Sequence, residues 1–408
     1  MQGIERSYLE FAVRAIAKVY GHFLATEVKE ILNGVYYGKK DTRGVDAIPE
    51  ILLKETLEKF SEDAVLITEE NDKNALKDLP DSPSFSAWPL VFISDPTDRS
   101  KFILRLLDEM LKQCGLEKGS KKTCEEITVK QLFKSLDPIE FWKKVGEDPI
   151  KVTGPTTSIS CIDKGQALFS VLANYITGDM TVACESGVYG VNLNDFSDDT
   201  QINLRNILKK ENELTFPSIR SRRKMLKKRS DIFNDFKRFV TFLGDKKKKG
   251  YSENFRDSMI FMGDSQAQKF VHHKQPGGPA RILYHSEYYT DKNIIGFIMA
   301  NGEKITEWIH WLPYVRFVKN SEGSPAFRMF EIFTDRLWSK CGILMSTPPA
   351  YSIFRKKRKE DGCYFLNIHG LRSYNQPSHF RSMIVVAPSD NEWIITTMKK
   401  YNYREITF

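Results

Sequence analysis

The stretch Val91-Phe92-Ile93-Ser94-Asp95-Pro96-Thr97-Asp98-Arg99-Ser100 sets two carboxylates three residues apart at the end of an apolar run. A second apolar run, Ala64-Val65-Leu66-Ile67-Thr68, ends in Glu69 and Glu70. If these runs are neighbouring strands, Glu69, Glu70, Asp95 and Asp98 converge at one sheet edge. Like charges packed in a low dielectric repel, and a hard cation relieves that repulsion. Mg²⁺ suits such a set: it takes oxygen ligands, needs few carboxylates, and lets water and substrate phosphate complete its shell. The backbone carbonyl of Thr97 could add a further oxygen, and Pro96 stiffens the turn. Arg99 and Ser100 follow where a helix should begin, so their amides would be unpaired N-terminal donors suited to a phosphate oxygen. Ordinary turn chemistry is the competing explanation, with Asp95 a strand-end residue and Asp98 an N-cap.

The elements that must position these groups follow from periodicity. Residues 4–33 carry apolar side chains at helical spacing, and a second helical pattern runs through 47–60. "AVLIT" and "LVFIS" are the expected strands that feed the acids. Residues 101–150 are helical and charged. Residues 157–193, broken by the turn signals "DKG" and "TGD", are expected to form a β-meander. Residues 196–280 are polar and basic and are expected to be an insertion or connection. Beyond them "ARILYHS", "YVRFV" and "SMIVVA" are expected strands, and "TDKNIIGFIMANG" and "SPAFRMFEIFTDRLW" expected helices. The expected division is therefore 1–195, with a helical insertion at 101–150, then 196–280, then an α/β domain over 281–408.

The chain has 408 residues, 41% hydrophobic and 28% charged, enough for a substantial folded core. No run approaches the roughly 20 apolar residues needed to span a bilayer, and the N-terminal segment has no signal-peptide pattern. Six scattered cysteines form no CxxC pair, which points to reduced thiols and a cytoplasmic setting. The formal charge is +8, with much of the excess in "RSRRKMLKKRS" and "DKKKKG". These runs are either a solvated basic face or a surface that attracts anions. His272, His273, His310 and His369 show no metal-ligand spacing and are expected to be structural or exposed.

"DPTDRSKFI" resembles the DP-(I/L)-DG-(T/S) signature of the inositol monophosphatase superfamily, which includes fructose bisphosphatases and 3′-phosphoadenosine-phosphate phosphatases. The ending is most like the DGTKEF variant of the last group. "VDAIPEILLKETLEKFSEDAVLITEEND" is similar to the family's Asp-bearing helix and the strand that ends in Glu-Glu. The 157–193 stretch is similar to the meander after the signature, and "RILYHS" and "GSPAFRMFEIFTD" to the opening of the second domain. The resemblance implies an α/β fold, α+β in its N-terminal part, built as a layered α/β/α/β/α sandwich. It implies metal ligation by Glu69, Glu70, Asp95, Asp98 and the Thr97 carbonyl. Ser100 and Asp46 would position the attacking water, and Arg99, Ser100, Gly323 and Ser324 would bind phosphate or substrate. Two departures stand out. The family's glycine before the Thr/Ser is Arg99 here, and its downstream Trp-Asp-x-Ala-Gly motif is not recognisable, since residues 340–375 hold only Asp361 among aspartates.

The expected function is a divergent Mg²⁺-dependent hydrolase of a small phosphate monoester, of the inositol, sugar or nucleotide phosphate class. The alternative is a catalytically weakened member that binds a phosphorylated ligand or a macromolecule. Expected partners are a small phosphorylated metabolite, an anionic macromolecule such as nucleic acid reached through residues 220–250, and a second copy of the chain as a homodimer.

Overall fold

A computed structural model of the chain describes residues 3–33, 44–60, 64–68, 90–114, 127–146, 152, 154–163, 166–196 and 201–214. Further on it describes 229–230, 258–263, 270–274, 294–300, 310, 313–314, 317, 352–355, 364–367, 382–386 and 404–407. Helices α1 (Gly3–Ala25) and α2 (Val28–Asn33) divide the stretch expected as one helix. The break falls at Thr26, whose hydroxyl donates to the His22 carbonyl at 2.8 Å, and at Glu27, which bridges to Thr128. A side-chain hydroxyl competing for the helical carbonyl, next to a backbone partner elsewhere, ends a helix that periodicity alone would continue.

Helix α3 (Gly44–Phe60) leads into strand β1 (Val65–Thr68), which pairs in parallel with β2 (Val91–Asp98). Antiparallel neighbours β3 (Thr156–Asp163), β4 (Gln166–Asn174), β5 (Asp179–Cys184) and β6 (Gly187–Asn192) complete a six-stranded mixed sheet in the order β1-β2-β3-β4-β5-β6. The chain is thus of the α/β class here, with the meander that the turn signals predicted. The "TGD" turn needs Gly178, whose φ is +73°; a Cβ there would lie 2.4 Å from the Asn194 amide nitrogen and 2.7 Å from the Tyr20 hydroxyl.

Period-2 alternation gives the sheet two different faces. One face carries Phe92, Ile159, Cys161, Phe169, Val171, Met180 and Val182, all buried in one apolar core with α1 and α3. Phe92 is its hub: its ring meets Phe11 at 5.2 Å, Tyr8 at 6.4 Å and Phe60 at 6.5 Å, all edge-on. The opposite face carries Ile93, Asp95, Ser158, Ser160, Ser170, Leu172 and Thr181, which are buried as well. A sheet buried on both faces with hydroxyls on one of them must have polar partners supplied by the rest of the chain.

Helix α4 (Ser100–Gln113) follows β2 and buries Ile103, Leu106, Leu107, Met110 and Leu111, an i, i+3, i+4 stripe. Its outer face carries Arg105–Glu109 and Lys112–Asp108 pairs four apart. Helices α5 (Val129–Ser135) and α6 (Pro138–Lys144) complete the expected helical stretch. The α6 residue Trp142 packs edge-on against Phe102 at 4.9 Å, under the Arg105 guanidinium.

A second sheet has eight strands, in the order β14-β11-β12-β13-β10-β8-β9-β7. They are β7 (Arg229–Ser230), β8 (Ser258–Gly263), β9 (Phe270–Lys274), β10 (Ile294–Ala300), β11 (Ser352–Arg355), β12 (Tyr364–Asn367), β13 (Ser382–Val386) and β14 (Arg404–Thr407). The expected strand in "SMIVVA" is β13. Two expectations are corrected. "NIIGFIMA" is strand β10 rather than a helix, held between β8 and β13. In "YVRFV", Tyr314 and Phe317 are helical rather than extended. The boundary expected at residue 280 falls between β9 and β10, two strands of one sheet, so the basic 196–280 segment contributes three strands to it. The expected strand "ARILYHS" and helix "SPAFRMFEIFTDRLW" lie outside the described residues. Among the described residues no helix is long and apolar enough to cross a membrane.

Phe92→Ala should lower unfolding free energy by about 3–5 kcal/mol, the loss usual for deleting a fully buried aromatic ring. Urea denaturation followed by circular dichroism measures it, and a loss under about 1 kcal/mol would show that Phe92 is not the hub of this core.

Candidate functional site

The acidic strand end is built by an irregularity in the sheet. Strand β2 pairs residue for residue with β3 from Val91↔Ile162 to Asp95↔Ser158, then skips to Asp98↔Thr156. Pro96 and Thr97 bulge between those pairs. Proline has no N–H to give to a ladder, so this is where a strand tolerates it. The bulge changes the alternation between the two aspartates and lets both remain at the strand's end. Asp95 is 1% exposed and Asp98 is half-buried.

Three hydroxyl side chains fix the bulge. The Thr97 hydroxyl donates to the Val45 carbonyl at 2.7 Å, tying the strand end to the first turn of α3. The Tyr175 hydroxyl donates to the Pro96 carbonyl at 2.7 Å and lies 3.2 Å from the Thr97 hydroxyl. On the far side the Ser94 hydroxyl donates to the Ser158 carbonyl at 2.6 Å. Burial pushes the Tyr175 phenol far up, the hydrogen bond with Thr97 opposes this, and the negative charges of Asp95 and Asp46 add to it. The phenol therefore stays protonated and keeps its hydrogen to donate. Asp46, in the first turn of α3, and Asp95 thus lie within electrostatic reach of one buried ring.

Arg99 is the N-cap of α4, with φ 63° and ψ 34°, and among the described residues it alone has positive φ without being glycine. N-caps ordinarily sit in the extended region, and a left-handed backbone is the natural place for glycine. This is the position at which the resembled signature carries its glycine. An arginine in this backbone conformation is a strain of the kind that collects at functional turns. Ser100 is the first residue of α4, so its amide stands outside the helix's own hydrogen-bond ladder. The alternative in which Asp98 caps the helix is not what forms: Asp98 ends the strand and Arg99 occupies the cap.

Thr68, the last residue of β1, pairs with Ser94, and its hydroxyl donates to the Glu50 carboxylate at 2.5 Å. Parallel pairing of the two acid-bearing strands is therefore real up to Thr68. Glu69, Glu70, Gly323 and Ser324 lie outside the described residues, as do His369 and the basic 220–250 segment apart from Arg229 and Ser230. Among the described residues no three His, Cys, Asp or Glu side chains group closely enough to hold an ion. The described donors at the strand end are carboxylates and hydroxyls, whose chemistry fits a hard cation.

Sequence reasoning missed two groups. Tyr175, in "ANYITGD", anchors the bulge. His310, expected to be structural or exposed, has three hydroxyl partners: its ring nitrogens meet Ser158 at 2.8 Å, Ser160 at 2.6 Å and Ser170 at 3.2 Å. It is 0% exposed, so the expectation of a structural histidine holds and that of an exposed one does not. The signal was present in "TSISCI" and Ser170, since buried serines alternating on one sheet face need a polar partner from elsewhere.

No family model and no curated protein matches the chain. Among solved structures it is similar to the extragenic suppressor protein SuhB from Bartonella henselae, at 14% identity and a TM-score of 0.26, over 46% of this chain and 52% of that one. The chain thus spans about half the length of that structure.

The backbone at Arg99 gives a direct test. Arg99→Val should be less stable than Arg99→Gly by about 1–2 kcal/mol, because a β-branched residue resists the left-handed region that glycine enters freely. Thermal melts compare them, and equal stabilities would mean that residue 99 does not hold a positive φ in solution.

Proposed function

We propose that the chain is a divergent member of the inositol monophosphatase superfamily, with that family's layered α/β/α/β/α sandwich, and that it hydrolyses a small phosphate monoester with Mg²⁺. The observation that carries this is the join between β2 and α4. A buried aspartate, a bulge, a second aspartate, a left-handed cap and a helix start follow one another within six residues, Asp95 to Ser100. That geometry suits the signature the sequence resembles, including the conformation of its missing glycine.

In this reading Asp95 and Asp98 hold the ion, with Glu69, Glu70 and the Thr97 carbonyl as further oxygens. A bound Mg²⁺ supplies a water of lowered pKa and neutralises phosphate charge. The carboxylate of Asp46 and the hydroxyl of Ser100 orient the attacking water. The amides at the start of α4 and the Arg99 guanidinium bind phosphate oxygens, and Gly323 and Ser324 contribute from the second half. The Tyr175 and Thr97 hydroxyls hold the bulge still. Positioning and electrostatics then do most of the work, as is usual for phosphoryl transfer. The substrate class is an inositol, sugar or nucleotide phosphate, and the basic segment 220–250 would raise the local concentration of such anions or of an anionic macromolecule. The setting this chemistry suits is the cytoplasm, and a homodimer is the simplest assembly.

A second reading is favoured by Arg99 itself, whose side chain stands where the signature has none. A catalytically weakened member would use that guanidinium to retain a phosphorylated ligand without turning it over.

A phosphate-release assay over a panel of phosphorylated metabolites, with and without Mg²⁺, separates the two. The wild type should release phosphate only with Mg²⁺. Asp95→Asn should lose at least about 100-fold, since even partners behind a metal ligand are worth 10–100-fold. Tight binding of a phosphorylated metabolite without release would establish the second reading, and Mg²⁺-independent release would overturn the first.

A further inference from the structure

His310 reaches into the hydroxyl-lined face of the six-stranded sheet, and its contacts lead to the acidic strand end. Ser158 and Asp95 are opposite partners across β2 and β3. The Asp95 amide donates to the Ser158 hydroxyl at 3.3 Å, and that hydroxyl lies 3.3 Å from the Asp95 carbonyl. The same hydroxyl stands 2.8 Å from Nε2 of His310.

Counting protons favours one histidine tautomer. Ser158 has one hydrogen and two lone pairs. If the Asp95 amide and His310 Nε2–H both donate to its oxygen, its own hydrogen is left to donate to the Asp95 carbonyl. Nδ1 of His310 then accepts from Ser160, at 2.6 Å, with Ser170 at 3.2 Å beside it. A ring with its hydrogen on Nε2 and its Nδ1 turned to Ser160 fits these contacts. The reverse tautomer would have Ser158 donate to Nε2 and leave the Asp95 carbonyl without that hydrogen bond.

We propose that His310 is a positioning residue for the acidic site: acting through Ser158, it clamps both backbone polar groups of Asp95 and so fixes the direction of that carboxylate. The inference rests on the reading of Asp95 as a ligand for a divalent cation. It makes the cation site dependent on a residue more than 200 positions away in the chain. A second contact of the same segment supplies the control. The Tyr314 hydroxyl lies 2.5 Å from the Thr181 hydroxyl, also buried, on β5, whereas Asp95 pairs with Ser158 of β3. Both contacts hold a residue of the second half against this sheet face, and the His310 contact is the one made through the partner of Asp95.

The test is Mn²⁺ binding to the full-length protein, read from the free-ion signal by electron paramagnetic resonance, with circular dichroism to check folding. Wild type and Tyr314→Phe should bind Mn²⁺ with equal affinity. His310→Ala and Ser158→Ala should bind about tenfold or more weakly, the scale found when a group behind a metal ligand is removed. His310→Gln, whose amide can still donate to Ser158, should recover part of the loss. Wild-type affinity in folded His310→Ala overturns the inference, and so does an equal loss in Tyr314→Phe, which would reduce His310 to a docking contact. If His310→Ala does not fold, Ser158→Ala and His310→Gln decide by the same criteria. A wild type that takes up no Mn²⁺ overturns the cation reading itself, and this inference with it; the wild-type curve alone distinguishes that failure from the others.

Discussion

The Ser158 hydroxyl is the point on which the sheet's polar face depends. It is buried, it meets the amide and carbonyl of Asp95, and it meets the imidazole of His310. A serine buried there is costly unless its hydrogen bonds are made. Strand β2 therefore cannot shift register against β3 without stranding polar groups. Its bulge at Pro96–Thr97 is locked on the other side by Tyr175 and by the start of α3. The acidic turn is over-determined from three directions: a neighbouring strand, a helix and a distant segment. A carboxylate at 1% exposure needs such support, because its charge is disfavoured wherever water cannot reach it.

Much of this was legible in the sequence. "DPTD" after an apolar run marked a strand end. "DKG" and "TGD" marked meander turns, and the helical reading of 101–150 covers α4, α5 and α6. These are local signals, in which residue type and backbone conformation agree. What was not legible depended on distant partners. The helix through 4–33 breaks because Glu27 pairs with Thr128, a residue about a hundred positions on. "IIGFIMA" was expected to be helical because a short apolar run carries no period of its own; pairing on both sides with β8 and β13 makes it a strand. Propensity is a weak prior where tertiary pairing decides.

The site divides in the same way. Asp95, Asp98 and the helix start after them could be placed from spacing alone. The bulge could not, although Pro96 hinted at it, and neither could the left-handed backbone at Arg99. An arginine gives no sign of positive φ; only the resembled glycine did. His310 was the clearest miss, because a lone histidine shows no partner in sequence. Its three serines lie on two strands of a different part of the chain and become neighbours only through pleat and register. The apolar face of the sheet reads directly from its hydrophobic residues, whereas the polar face reads only once both halves are in place.

The central claim is that Asp95 is a buried cation ligand, held in place for that purpose. The most direct measurement is the melting temperature of the wild type and of Asp95→Asn, each in chelator and in millimolar Mg²⁺. A ligand that binds only the folded state raises stability by mass action, about 2.7 kcal/mol at a hundred times its dissociation constant. The account predicts a rise with Mg²⁺ in the wild type and none in Asp95→Asn. An equal rise in both, or no rise in the wild type, would contradict it.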